Sequence, residues 1–346
     1  MQCSFSSGAR FISKRALVFV DGIWNGALVM KASCALFIFA AAWAWLGFSE
    51  ETKPPLKPAA APKNAPAQLT GITTLRDLPY VAGGHERQKL DLFVPEKGES
   101  LPLIVWIHGG GWSAGSKENC PALGFLRGGY AVASINYRLS QHAVYPAQIE
   151  DCKSAIRWLR AHAARYRINP DKIGVWGASA GGHLVALLGT TGDVKEFEKG
   201  EHLGQSSRVQ AVCDWFGPTD FMEYYGYANN KLVAPMVQPD APDSALARLV
   251  GGKLSEKKEL VARANPITYA SKGDAPFLIM HGDKDPLVPL HQSEILEQSL
   301  KKAGVPVTLY IEKGSGHSLR GPEVSRMMFA FFEKHLKTNG GPAAGR

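Results

Sequence analysis

Lys172-Ile173-Gly174-Val175-Trp176 runs directly into Gly177-Ala178-Ser179-Ala180-Gly181. A short apolar run that ends in small residues around one serine reads as a buried strand turning sharply into a helix. Such a turn holds the serine at strained backbone angles with its hydroxyl exposed, and only small neighbours leave room for the helix to begin. Gly177, Ala178, Ala180 and Gly181 supply that room. Taken alone the pattern also fits an ordinary glycine-rich turn, so its meaning depends on what else the chain carries.

Upstream, Leu103-Ile104-Val105-Trp106-Ile107 reads as a second buried strand, followed at once by His108-Gly109-Gly110-Gly111-Trp112. Consecutive glycines let the backbone turn its N–H groups inward. Gly110 and Gly111, with the N–H of Ala180 after the serine, form a candidate oxyanion hole, and His108 shapes the loop. Downstream, Pro276-Phe277-Leu278-Ile279-Met280 is another strand, leading into His281-Gly282-Asp283-Lys284-Asp285-Pro286-Leu287-Val288-Pro289. Asp285 is the candidate acid and Asp283 a turn residue. Last, the alternating strand Val307-Thr308-Leu309-Tyr310-Ile311 precedes the loop Gly314-Ser315-Gly316-His317, which delivers a histidine just before the final helix. Nucleophile, acid and histidine in that order, with the glycine loop ahead of all three, is the chain order of an α/β-hydrolase. The expected chemistry has His317 take the proton of Ser179 while Asp285 holds the imidazole, so activity should rise with pH as His317 loses its proton.

From about Leu78 to Leu336 the chain resembles the esterase and lipase branch of that superfamily. The nearest likeness is to BD-FAE-type hydrolases, which are feruloyl-esterase-like and acetyl-esterase-like and related to the hormone-sensitive-lipase group and to kynurenine formamidases. It is carried by His108-Gly109-Gly110-Gly111-Trp112, Asn136-Tyr137-Arg138-Leu139, Tyr145-Pro146-Ala147, residues 177–183, Asp214-Trp215-Phe216-Gly217-Pro218-Thr219-Asp220 and the surroundings of Asp285 and His317. The resemblance implies an α/β-hydrolase fold with a mostly parallel eight-stranded sheet, an early antiparallel hairpin and flanking helices. It also implies a carboxylic ester hydrolase needing no metal or cofactor, and a structural role for Arg138. The acyl and alcohol groups are not named by it.

Strand patterns fall near residues 88–94, 102–108, 130–136, 171–177, 209–215, 276–282 and 306–312, alternating with helical ones at 146–167, 180–188, 290–303 and 322–336. Alternation of this kind makes a mostly parallel sheet. Residues 222–269 interrupt it and read as a small cap insertion, with Tyr224, Tyr225 and Tyr227, three prolines and a weak helix at 244–250. Those tyrosines either line a pocket or pack a surface loop. Trp112 and Trp215, each abutting a strand end, are the better pocket candidates, and Trp158 and Trp176 suit core packing. His183 and His281 suit structural hydrogen bonding. No histidine shows metal-ligand spacing.

The N-terminus bears on location. Lys31 precedes a charge-free apolar run over 32–48, so Met30 is the candidate start of a signal peptide with a small-x-small cleavage site at Ala42-Trp43-Ala44. The run is also close to the ~17-residue minimum for a membrane span, which leaves an uncleaved anchor as the alternative. Residues 49–70, rich in Pro, Ala and Lys, read as a linker. One catalytic domain follows over 71–338, then a short tail at 339–346. The net charge of +8 is spread without a basic helix or aromatic-interleaved patch, which argues against a nucleic-acid partner. Cys120 and Cys152 are a candidate disulfide if the chain is exported, with Cys213 buried in its strand. The expected substrate is a small-molecule or polysaccharide ester, with short-acyl or feruloyl/acetyl esters of carbohydrates foremost; an arylformamidase, a serine peptidase and a non-catalytic binding module are the alternatives.

Overall fold

Side-chain alternation along five central strands sorts the core into two halves, and this sorting builds the sheet. The computed structural model describes residues 70–227 and 238–337. The leader, nearly all of the linker, the tail, Cys3 and Cys34 lie outside these residues.

Eight strands run β1 (Ile72–Pro79), β2 (Lys89–Pro95), β3 (Leu101–Ile107), β4 (Ala131–Ile135), β5 (Ile168–Ala178), β6 (Ala211–Trp215), β7 (Phe277–Gly282) and β8 (Val307–Glu312). They lie side by side in the order β1-β2-β4-β3-β5-β6-β7-β8. β2 pairs antiparallel with β1 and with β4, and every later neighbour is parallel. Leu103, Val105 and Ile107 of β3 join Ile173 and Val175 of β5 on one face, against α1 (Ala147–Ala161), α2 (Ala180–Thr190) and α6 (His291–Ala303). Ile104, Trp106 and Trp176 point the other way, to a 3-10 helix at Pro121–Gly128 and to α7 (Pro322–Phe332). A period of two along each strand is what allows both faces to be apolar and covered.

The order reverses between β3 and β5, because β4 lies on one side of β3 and β5 on the other. A parallel sheet opens a crevice beyond the carboxyl ends of its strands at such a point. Register puts the right loops there: Ile107 is opposite Gly177, Ala178 opposite Trp215, Trp215 opposite Met280, and Gly282 opposite Glu312. The loops after β3, β5, β6, β7 and β8 therefore share one rim.

Three expectations need correction. The helix read over 146–167 ends at Ala161; a 3-10 turn at Ala164–Tyr166 follows, and Arg167 takes a left-handed φ of 56° that no helix continues through. Cys120 and Cys152 are not joined. Both thiols are free, with Cys152 in the core on one face of the sheet and Cys120 packed against the core on the other. Trp215 is the third, and belongs with the site.

Between β6 and β7 the chain forms α3 (Tyr224–Tyr227), α4 (Ala245–Val250) and α5 (Lys258–Ala264). α4 is capped by Ser244, whose hydroxyl accepts from the Ala247 N–H, and it ends at Gly251 with φ 72°. Tyr145 N–H donates to Leu249 O at 2.8 Å, tying this segment to the chain just before α1.

Candidate active site

Ser179 sits at φ 57°, ψ −123°, between the last residue of β5 and the first of α2. A non-glycine residue there costs on the order of 1–3 kcal/mol, a strain that persists only where the surroundings over-determine the backbone. They do so here. Ser179 N–H donates to Trp215 O at 2.9 Å, and His183 N–H donates to Ser179 O at 3.0 Å. A Cβ on Gly181 would fall 2.1 Å from Ile107 O, and one on Gly177 2.2 Å from Gly181 O, so the start of α2 approaches β3 as closely as backbone permits. Only glycine fits.

The glycine loop lies against the same turn. Gly110 takes φ 107°, and its carbonyl accepts from Ser113 N–H at 3.1 Å and Ala114 N–H at 3.0 Å. Among the described residues, no backbone carbonyl outside regular elements takes the N–H of Gly110, Gly111 or Ala180. His108 anchors the loop: its ring stacks on Tyr137 at 4.4 Å, Nδ1 lies 2.8 Å from Gly109 O, and Nε2 lies 3.1 Å from Arg87 Nη2. A carbonyl only accepts and a guanidinium only donates, so Nδ1 carries the proton and Nε2 accepts. Burial lowers the His108 imidazole to about 4, keeping it neutral for that role.

His317 Nδ1–H donates to Asp285 Oδ2 at 2.6 Å, so that in the neutral imidazole the lone pair sits on Nε2. Asp285 is buried, and its Oδ1 accepts from the N–H groups of Leu287 at 2.8 Å and Val288 at 2.9 Å. Burial alone would push this carboxyl up, but the nearby His281 ring and the hydrogen bond from His317 outweigh it and hold Asp285 well below the usual carboxylate range. His281 Nε2–H donates to Val288 O at 2.8 Å and stands 3.4 Å from Asp285 Oδ2, while Nδ1 accepts from Ser293 Oγ at 2.6 Å. Asp283 is differently employed: its carboxylate accepts from Gly314 N–H at 2.6 Å and shapes the loop that carries His317.

Ser179 and His317 line a cleft of about 520 Å³, together with the glycine loop. Its walls are mainly apolar, from Trp112, Phe216, Leu246, Leu287 and Val288. Trp112 is among these residues, with its indole N–H donating to His183 Nδ1 at 3.2 Å. His183 then carries its proton on Nε2 and donates to Ala264 O at 2.7 Å; burial lowers this imidazole to about 4. Trp215 is not at the cleft. As the last residue of β6 it alternates onto the opposite face, where it packs edge-on to Trp176 at 4.9 Å. Phe216 takes its place: a left-handed φ of 41° swings it to the cleft, with its ring 4.4 Å from that of His317.

The sequence leaves Tyr224 open between lining a pocket and packing a surface loop, and it does not mark Arg248. Tyr224 lines the cleft, whereas Tyr225 donates to Asp240 Oδ1 at 2.7 Å and packs the surface segment. Arg248 also lines the cleft. Arg138 is bound away from it, with Nε 2.9 Å from Asp151 Oδ2 and Nη2 2.7 Å from Asp151 Oδ1, clamping the loop after β4 onto α1.

The sequence model of the BD-FAE family matches residues 90–300. Esterase LipQ of Mycobacterium tuberculosis (strain ATCC 25618 / H37Rv) is 30% identical over 247 residues, covering 70% of this chain and 56% of that protein. The probable isoprenylcysteine alpha-carbonyl methylesterase ICMEL1 of Arabidopsis thaliana is 26% identical, covering 69% of this chain and 50% of the other. The chain spans about half the length of the curated relatives it matches. Among solved structures, a truncated carbohydrate esterase from gut microbiota is 34% identical with a TM-score of 0.71, covering 80% of this chain and 100% of that one. The acetyl ester-xyloside bifunctional hydrolase from Caldicellulosiruptor lactoaceticus is 26% identical with a TM-score of 0.58, covering 72% and 86%. A family match that runs from β2 into α6, on a sheet of this order, makes the chain a member of the BD-FAE family with an α/β-hydrolase fold.

Proposed function

We propose that this chain is a serine carboxylic ester hydrolase that works through Ser179, His317 and Asp285, on short-acyl or feruloyl/acetyl esters of carbohydrates. The observation that carries the reading is the 2.6 Å bond from His317 Nδ1 to Asp285, at the cleft that Ser179 and His317 both line.

In the neutral imidazole that bond places the proton on Nδ1 and the lone pair on Nε2, and Nε2 takes the hydroxyl proton as Ser179 Oγ attacks the ester carbonyl. The N–H groups of Gly110, Gly111 and Ala180 stabilise the oxyanion. The bond to the alcohol then breaks as His317 returns the proton to the departing oxygen, leaving an acyl-serine. Water repeats the sequence and releases the acid. Asp285 stays ionised throughout and steadies the imidazolium, a role that its depressed protonation range suits.

The substrate class draws support from the structural relatives named as a carbohydrate esterase and an acetyl ester-xyloside hydrolase, and from apolar walls suited to an acyl or aryl group. Export through the leader is part of the proposal, tested by the N-terminal residue of the exported protein. The activity is tested with p-nitrophenyl acetate, butyrate and decanoate beside methyl ferulate and acetylated xylan. Turnover is expected on short-acyl or feruloyl esters and should fall by roughly four orders of magnitude in Ser179→Ala. Near-normal turnover by that variant would overturn the assignment.

A further inference from the structure

Among the described residues, Arg248 is the one lining the cleft, besides His317, whose side chain carries a charge. Its position follows from how α4 is seated. Ala245, Leu246, Ala247, Leu249 and Val250 are buried, and Arg248 alone in the helix is exposed. Ala245 Cβ lies 3.2 Å from where a Cβ on Gly111 would be, so this side of α4 rests on the glycine loop. Residues three apart share a helix face. Arg248 therefore follows Ala245 on the side that meets the loop.

Arg248 also has no acidic partner among the described residues. Arg263, on neighbouring α5, differs in this respect, with Nη2 3.3 Å from Glu196 Oε2. The same cleft is lined by Tyr224, whose hydroxyl is buried without a hydrogen-bond partner among the described residues. A guanidinium presents a rigid fork that matches a carboxylate, and it acts more strongly beside apolar walls than on an open surface.

We propose that Arg248 favours esters that carry a carboxylate, so that among the short-acyl and feruloyl esters of the proposed function an anionic ester is turned over better than its neutral counterpart. This rests on the ester-hydrolase reading of the same site. Charge complementarity at a half-open cleft acts mainly on binding and encounter, so the preference belongs in KM and weakens as salt rises.

The test compares matched pairs on the purified protein. 4-Acetoxybenzoate against 4-acetoxybenzamide places the charge on the alcohol half, and mono-4-nitrophenyl adipate against 4-nitrophenyl hexanoate places it on the acyl half. In at least one pair the anionic-to-neutral ratio of kcat/KM should fall about tenfold in Arg248→Gln, through KM. Arg248→Lys should retain part of the preference, and added salt should narrow it in the native protein. Ratios unchanged by Arg248→Gln in both pairs, with Ser179-dependent turnover intact, would overturn the inference and leave the hydrolase reading standing. No Ser179-dependent turnover on any ester would overturn both.

Discussion

The floor of the cleft and its wall are built on different principles. The floor is backbone against backbone: β5, Ser179 and the start of α2 meet the end of β3 so closely that Gly177 and Gly181 have no room for a Cβ. The wall is side chain against side chain, with α4 held by Leu246, Leu249 and Val250 in the core and by one backbone bond from Tyr145. A floor of this kind has one geometry and suits fixed chemistry. A wall of this kind can exchange side chains at its inner surface, so it suits selection. Changes to the floor should abolish activity or folding, and changes to the wall should redistribute activity among substrates.

Asp285→Asn gives the largest effect after loss of the serine. It removes the charge that fixes the His317 tautomer while keeping nearly the same shape, so kcat should fall about ten-thousandfold with little change in KM. Steady-state kinetics on p-nitrophenyl acetate reads this. A loss below tenfold would mean that another group orients the histidine, and His281 would be the first to examine.

Gly181→Ala should act on the fold. The added methyl would need the Ile107 carbonyl to move, costing about 3 kcal/mol, or a fall in Tm of roughly 6–12 °C. Thermal unfolding that matches the native protein would break the distinction drawn between floor and wall. The expected effect of Arg248→Gln is smaller and falls on selectivity.

The smallest effect is a pH slope. His183 is lowered from 6.5 to about 4 in the folded protein, so the unfolded chain binds the proton first as pH falls. Its contribution to stability is therefore fully present above about pH 6.5 and is lost as pH falls towards 4. Buried Asp214, pushed up to about 7 by burial, works in the opposite sense, gaining stability as pH falls through 7. His183→Gln separates the two, since an amide can accept from Trp112 and donate to Ala264 without titrating. Urea unfolding at stepped pH should show a shallower loss between about pH 6.5 and 4 in this variant. Parallel slopes would show that His183 does not titrate as described.

Much of the floor was legible in sequence because its signals are local. The glycines at fixed offsets from Ser179, the strand ending in His108-Gly109-Gly110-Gly111, and the Asp283/Asp285 pair after a strand are each read from a few neighbouring residues. β1 was less legible, since its residues are half-buried or exposed and offer no apolar run. Trp215 and Phe216 were exchanged because one residue of strand register decides which side chain faces the cleft. The Cys120–Cys152 pairing failed because nearness along adjoining segments does not reveal that a sheet lies between them. Arg248 had no local mark at all. Its place depends on where a helix inserted between β6 and β7 settles against a loop more than a hundred residues earlier.

The central claim, one activated serine at the rim of the sheet, is tested most directly by labelling the protein with diethyl p-nitrophenyl phosphate and mapping the adduct by peptide mass spectrometry. The account predicts one diethylphosphoryl group per chain, on Ser179, with labelling slowed by orders of magnitude in Asp285→Asn and esterase activity lost in step with the label. A label on another residue, or activity that survives full labelling of Ser179, would contradict it.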